Sequence, residues 1–95
     1  NGIKYIFMTH NSGIINLFAQ ATSSLRNSGG FTLNLFIASG TVEVTVENEA
    51  FTMKLFDCCT IHPHKSYIIK NTSQNDANIS ITAHVVSNRS KKFSF

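Results

Sequence analysis

The sequence predicts a single all-β domain, an antiparallel sandwich or barrel. Three observations carry this. Apolar and polar residues alternate with period two over several short segments, which places the apolar side chains of each on one face. β-branched and aromatic residues are dense, and Pro63 is the one proline. Turn-forming clusters separate these segments at short intervals, as in folds of many short strands. At 95 residues the chain is one domain, 1–95, with a modest core. Residues 1–11 read as an N-terminal strand or arm, and 88–95 as a basic tail.

The elements follow in order. The stretch 14–25 is ambiguous: Ile14, Leu17, Phe18, Ala21 and Leu25 would line a helix face as well as a strand. "NSGG" at 27–30 is a loop. "FTLNLFI" at 31–37 places Phe31, Leu33, Leu35 and Ile37 on one face. "ASG", ending at Gly40, predicts a tight turn between two strands. "TVEVTVE" at 41–47 sets Val42, Val44 and Val46 against Glu43, Thr45 and Glu47. "ENEA" at 47–50 is a hairpin turn, and "FTMKL" at 51–55 turns Phe51, Met53 and Leu55 inward. After a polar loop at 71–78, "NISITAHVV" turns Ile79, Ile81, Ala83 and Val85 inward and leaves His84 and Val86 outside.

Composition narrows the function. Hydrophobic residues make up 42% and charged residues 14%, so the surface must be covered by Ser, Thr, Asn and some exposed apolar groups. Such a surface favours a partner, a second copy included. The net charge of +3 is too small to mark a nucleic-acid-binding domain. Arg89, Lys91 and Lys92 fall in the last seven residues, a solvated tail or a weak phosphate or DNA contact. No apolar run approaches membrane-spanning length, and no membrane role is expected. Cys58 and Cys59 are adjacent, so on a strand they point to opposite faces and pair poorly with each other. No disulfide framework is expected, which suits a reducing compartment. The chain begins at Asn1 without Met and reads as a piece of a longer protein.

A glycine turn, a hairpin and then "FDCCTIHPHKSYIIKN" resemble the cupin pattern, which implies a double-stranded jelly roll. Asp57 takes the motif's Asp, Ile61-His62 its apolar-Pro pair, Tyr67 its metal-binding His and Asn71 its closing Asn; Gly40 matches the glycine after the first motif. More narrowly, the chain is similar to the C-terminal cupins of the CENP-C family of inner-kinetochore proteins. "IHPHKSYIIKN" keeps that family's Tyr67 and its Ile69-Lys70-Asn71 ending, while "SGIINL" and "FIASGTVEVTV" resemble its opening strand and central hairpin. The likeness spans about Ser12 to Val85 and favours a strand at 14–21. Phe56 replaces the usual Gly before Asp57, which leaves that turn open to a different shape. His62 and His64 fall at the usual Pro and Gly positions.

The resemblance implies no metal cofactor. Metal cupins draw ligands from both motifs; here the first motif holds Leu33 and Asn34, and Tyr67 replaces the His of the second. His62 and His64 would share a face if Pro63 keeps the segment extended, but two ligands do not make a structural site. His10, His84, Cys58 and Cys59 are the remaining candidate ligands. A metal- or ligand-binding cupin using His62 and His64 stays as the alternative. Catalysis by a Cys59–His62 pair is opposed by their strand parity, and bulky inward residues are expected to fill the barrel. Association has positive support: Phe36, Ile68, His84 and Val86 are expected on outward faces and are the candidate interface residues. The resemblance then implies a non-enzymatic homodimerisation module at the nuclear centromere or kinetochore, with a centromere-assembly protein as a second partner.

Overall fold

A computed structural model describes the backbone of residues 2–8 and 11–85, with side chains for all of these but 5–8. The strands are β1 (Ile3–Met8), β2 (Ser12–Leu17), β3 (Arg26–Asn27), β4 (Phe31–Ser39), β5 (Val42–Val46), β6 (Glu49–Met53), β7 (Cys58–Ile61), β8 (Ser66–Lys70) and β9 (Ala77–Val85). They form two antiparallel sheets, a five-stranded one ordered β1-β2-β9-β4-β7 and a four-stranded one ordered β3-β8-β5-β6. This is the all-β jelly roll of the cupin type.

The alternation built the core. Ile15, Leu17, Leu33, Leu35, Ile37, Ile61, Ala77 and Ile79 from the larger sheet meet Val42, Val44, Met53, Tyr67 and Ile69 from the smaller. The stretch 14–25 is not a helix. Ser12–Leu17 finds a partner strand on each side, β1 and β9, and those ladders outweigh the helical pattern. Beyond Leu17 the chain leaves the larger sheet and binds the smaller one, through Ser23 N–H to Ile69 O (2.8 Å) and a bridge between Thr22 and Lys70. The strand implied for 14–21 therefore ends at Leu17.

Gly40 does not close a hairpin. β4 and β5 belong to different sheets, so the turn carries the chain across the sandwich. Its φ is +89°, and a Cβ there would stand 2.8 Å from Cα and Cβ of Ala77. Both facts require glycine. The β5–β6 hairpin forms as expected, Val46 opposite Glu49.

Several residues expected inside are exposed: Phe31, Phe51, Leu55 and Val85. Phe51 lies on edge strand β6, Leu55 in the following turn, and Phe31 and Val85 face each other where β4 and β9 run past the core. Parity gave Phe31, Phe51 and Val85 the right face, but no layer covers them there; Leu55 lies past the end of β6, where strand parity no longer holds. Nor is the sandwich filled across its width. A cleft of about 270 Å³ opens between β5–β6 and β7, and a cavity of about 190 Å³ lies among Ile3, Gly13, Ile15, Ser23, Arg26, Tyr67, Ile69 and Ile81.

Candidate association surface

The outer face of the five-stranded sheet is read from its registers. Asn16 pairs with Asn78, Ile14 with Ser80, Phe36 with Ser80 and Cys58, and Asn34 with Thr82 and Thr60. Small polar groups dominate and satisfy one another: Asn16 Nδ2 donates to Asn78 Oδ1 (2.7 Å), and Thr60 Oγ1 to Asn34 Oδ1 (2.8 Å). Phe36 stands out of this floor, 37% exposed. His84 lies on the same face, beside Thr32. Ile68 does not; it is paired with Thr45 on the outside of the opposite sheet, so it cannot share a flat patch with Phe36. Val86 and the basic Arg89, Lys91 and Lys92 lie outside the described residues.

Sequence reasoning missed a neighbour of Phe36. The ring of Phe56 stacks on it, with centroids 6.1 Å apart and 23° between planes. Phe56 has φ +71°, the left-handed conformation that glycine adopts freely. So the turn keeps a glycine's backbone although its residue is phenylalanine. Phe56 N–H donates to Ile37 O (2.8 Å), Asp57 N–H to Lys54 O (2.9 Å), and Lys54 N–H to Asp57 Oδ2 (2.8 Å). The one signal in the sequence was the substitution itself.

His62 and His64 are not on an extended segment. Pro63 and His64 form a turn, and His64 takes φ +62°, again a glycine conformation at a glycine position. Buried Ser28 holds the turn: its Oγ donates to His62 O (2.7 Å) and accepts from Lys65 N–H (3.0 Å). His64 N–H donates to Gly29 O (2.7 Å). Both histidines are exposed. Among the described residues no three of His, Cys, Asp and Glu are grouped to hold a metal ion. Tyr67 is buried and lines the smaller cavity.

The cysteines point to opposite faces, as their adjacency requires. Cys58 is exposed beside Phe36, while Cys59 packs against the core and its thiol pKa is raised by burial. The turn after Ile61 brings His62 to the cleft that Cys59 also lines, so parity does not separate them. Burial nevertheless disfavours the Cys59 thiolate, the opposite of what a nucleophile needs.

Solved structures share this fold. The cupin domain of Schizosaccharomyces pombe Cnp3 superposes with a TM-score of 0.80 at 22% identity, over 95% of this chain and 68% of that one. Drosophila melanogaster CENP-C, solved bound to CAL1, gives 0.80 at 15% identity, over 88% and 75%. A Thermotoga maritima protein described as a predicted oxalate decarboxylase gives 0.75 at 17%, over 79% and 65%. At these identities the likeness shows the fold alone. No curated protein matches the sequence. The model of the Mif2/CENP-C-like family matches residues 4–82, most of the chain, and the chain belongs to that family.

Proposed function

We propose that this domain is a non-enzymatic homodimerisation module of a centromere or kinetochore protein, working in the nucleus. The observation that carries the reading is the outer face of the five-stranded sheet: mostly small uncharged side chains across β2, β9, β4 and β7, with Phe36 raised among them and Lys4 at the β1 edge. Polar groups already bonded to one another are cheap to desolvate, and the exposed apolar surface of Phe36 gains by leaving water. Burying it returns about 25 cal/mol per Å² of apolar area before association costs, and a two-fold contact uses the same patch twice. Joining two copies would raise the avidity of other binding parts of the full-length protein without any new contact.

Family membership supports the centromeric setting. A second role, docking a centromere-assembly factor, is supported by the related Drosophila CENP-C domain having been solved with CAL1 bound. Tyr67 at the place of the motif histidine, with His62 and His64 in an exposed turn, favours association over metal chemistry. Sedimentation equilibrium of the isolated domain tests the main reading. A dimer is expected; a monomer at roughly tens of micromolar would sink it.

A further inference from the structure

Two sheet edges meet at one side of the sandwich. Among the described strands, β6 pairs with β5 alone and β7 with β4 alone. An edge strand offers its backbone N–H and C=O groups to any strand that comes beside it, and native folds blunt such edges with proline or charge, or cover them. The "CCTI" of β7 carries neither proline nor charge. Between the two edges lies the cleft of about 270 Å³. The turn at 54–57 joins β6 to β7 at one end, and Glu47, Glu49 and His62 stand at the other, open end. Val46, Phe51 and Ile61 give the cleft an apolar wall, and Phe51 is 37% exposed.

Residues 86–95, "VSNRSKKFSF", follow β9 and fit this cleft in place, reach and pattern. Val85 is paired with Phe31 of β4, and two residues further along β4, Leu33 is paired with Ile61 of β7. So β9 hands the chain on at the open end of the cleft, two strand spacings or about 10 Å from β7. Ten extended residues span about 33 Å. Alternation sets Lys91, Phe93 and Phe95 on one face of a strand. A strand entering from the open end would place Lys91 at the mouth, beside Glu47 and Glu49, and carry both phenylalanines inward along the apolar wall. Lys65 is the one ammonium among the lining residues, against two carboxylates, so the mouth still favours a cation. Such a strand would run antiparallel to β7, the pairing β7 already makes with β4.

We infer that residues 90–95 add to the free edge of β7 as a further strand of their own chain, with Phe93 and Phe95 in the cleft and Lys91 at its mouth. This strand covers the apolar wall, shields Cys59 and removes an edge open to stray pairing. The test is the iodoacetamide labelling rate of Cys59, which lines the cleft, with Cys58 on the outer face as internal control. Phe93→Ser combined with Phe95→Ser should speed Cys59 labelling by about tenfold or more and leave Cys58 unchanged. An unchanged Cys59 rate overturns the inference. So does an equal acceleration of Cys58, the mark of a loosened fold rather than an uncovered cleft. Lys91→Glu should speed Cys59 labelling by roughly two- to fivefold, and Glu49→Lys added to it should restore the slow rate; no effect of either overturns the placement of Lys91. A tethered segment acts at an effective concentration of about millimolar, so Cys59 protection should hold on dilution from roughly 100 to 1 μM chain. Protection lost on dilution would put the strand on a second copy and overturn its assignment to the same chain.

Discussion

Asn71 shows how much one side chain can organise. It is fully buried, and its amide nitrogen donates to Leu17 O (2.9 Å) and Asn75 O (2.8 Å). Its Oδ1 accepts from Ser73 N–H (2.9 Å) and Ser73 Oγ–H (2.8 Å). One residue thus ties the end of β2 to the loop before β9. Asn71→Ala removes the buried bond to Leu17 O and the bonds that pin the half-buried Ser73 loop, and should cost about 1–3 kcal/mol, read as a lower urea midpoint. The family resemblance marked Asn71 as the motif's closing residue; its role as a buried knot became visible only with the loop folded over it. The neighbouring thiols offer a second test. Burial raises the pKa of Cys59, so at a given pH it holds less thiolate than an unhindered cysteine. Iodoacetamide should label exposed Cys58 first near neutral pH, with Cys59 gaining as pH rises. Mass spectrometry of the labelled peptides checks the order.

At the scale of elements, the strands were legible and their partners were not. Alternation at 31–37 and 42–46 fixed which side chains enter the core, since parity is a local property. It could not say that β4 and β5 lie in different sheets, because a tight glycine turn serves a hairpin and a crossover alike. The crossover makes Gly40 far more demanding than a hairpin glycine. Gly40→Ala combines a left-handed φ with a Cβ driven into Ala77, and should cost roughly 2–4 kcal/mol. Thermal unfolding of the variant measures this; a loss under half a kilocalorie would show that β4 and Ala77 can part easily. The same blindness to partners explains Phe51, assigned to the right face of a strand that proved to be an edge, while Leu55 lies beyond the end of that strand, in the turn.

For the whole molecule, the decisive property is which outer face is apolar enough to pair. Phe36 and His84 share the larger sheet, and Ile68 faces away from both. If the larger sheet forms the two-fold contact, Phe36→Glu should give a folded monomer, because the side chain contributes little to the core and a buried carboxylate cannot be tolerated in the contact. Unchanged circular dichroism with halved mass by sedimentation is the expected result. A Phe36→Glu chain that remains dimeric would move the contact to another face. Ile68→Glu, on the opposite sheet, is the matching control and should leave the mass unchanged.

The sequence by itself determined the class of fold, the inward face of most strands and the family, because period-two alternation and motif spacing are written in neighbouring residues. It also marked the places where something unusual would happen: Phe56 and His64, both standing where the family pattern has glycine. Only the tertiary structure decided what those residues do. It kept the glycine backbone at both, folded His62-Pro63-His64 into a turn held by Ser28, and laid the Phe56 ring on Phe36. Residues 36 and 56 are brought together by β4 pairing with the chain around β7, a long-range register that no local pattern encodes. Alternation names the face of a strand; which strands lie beside it, and so which exposed side chains become one surface, depends on packing across the whole sandwich.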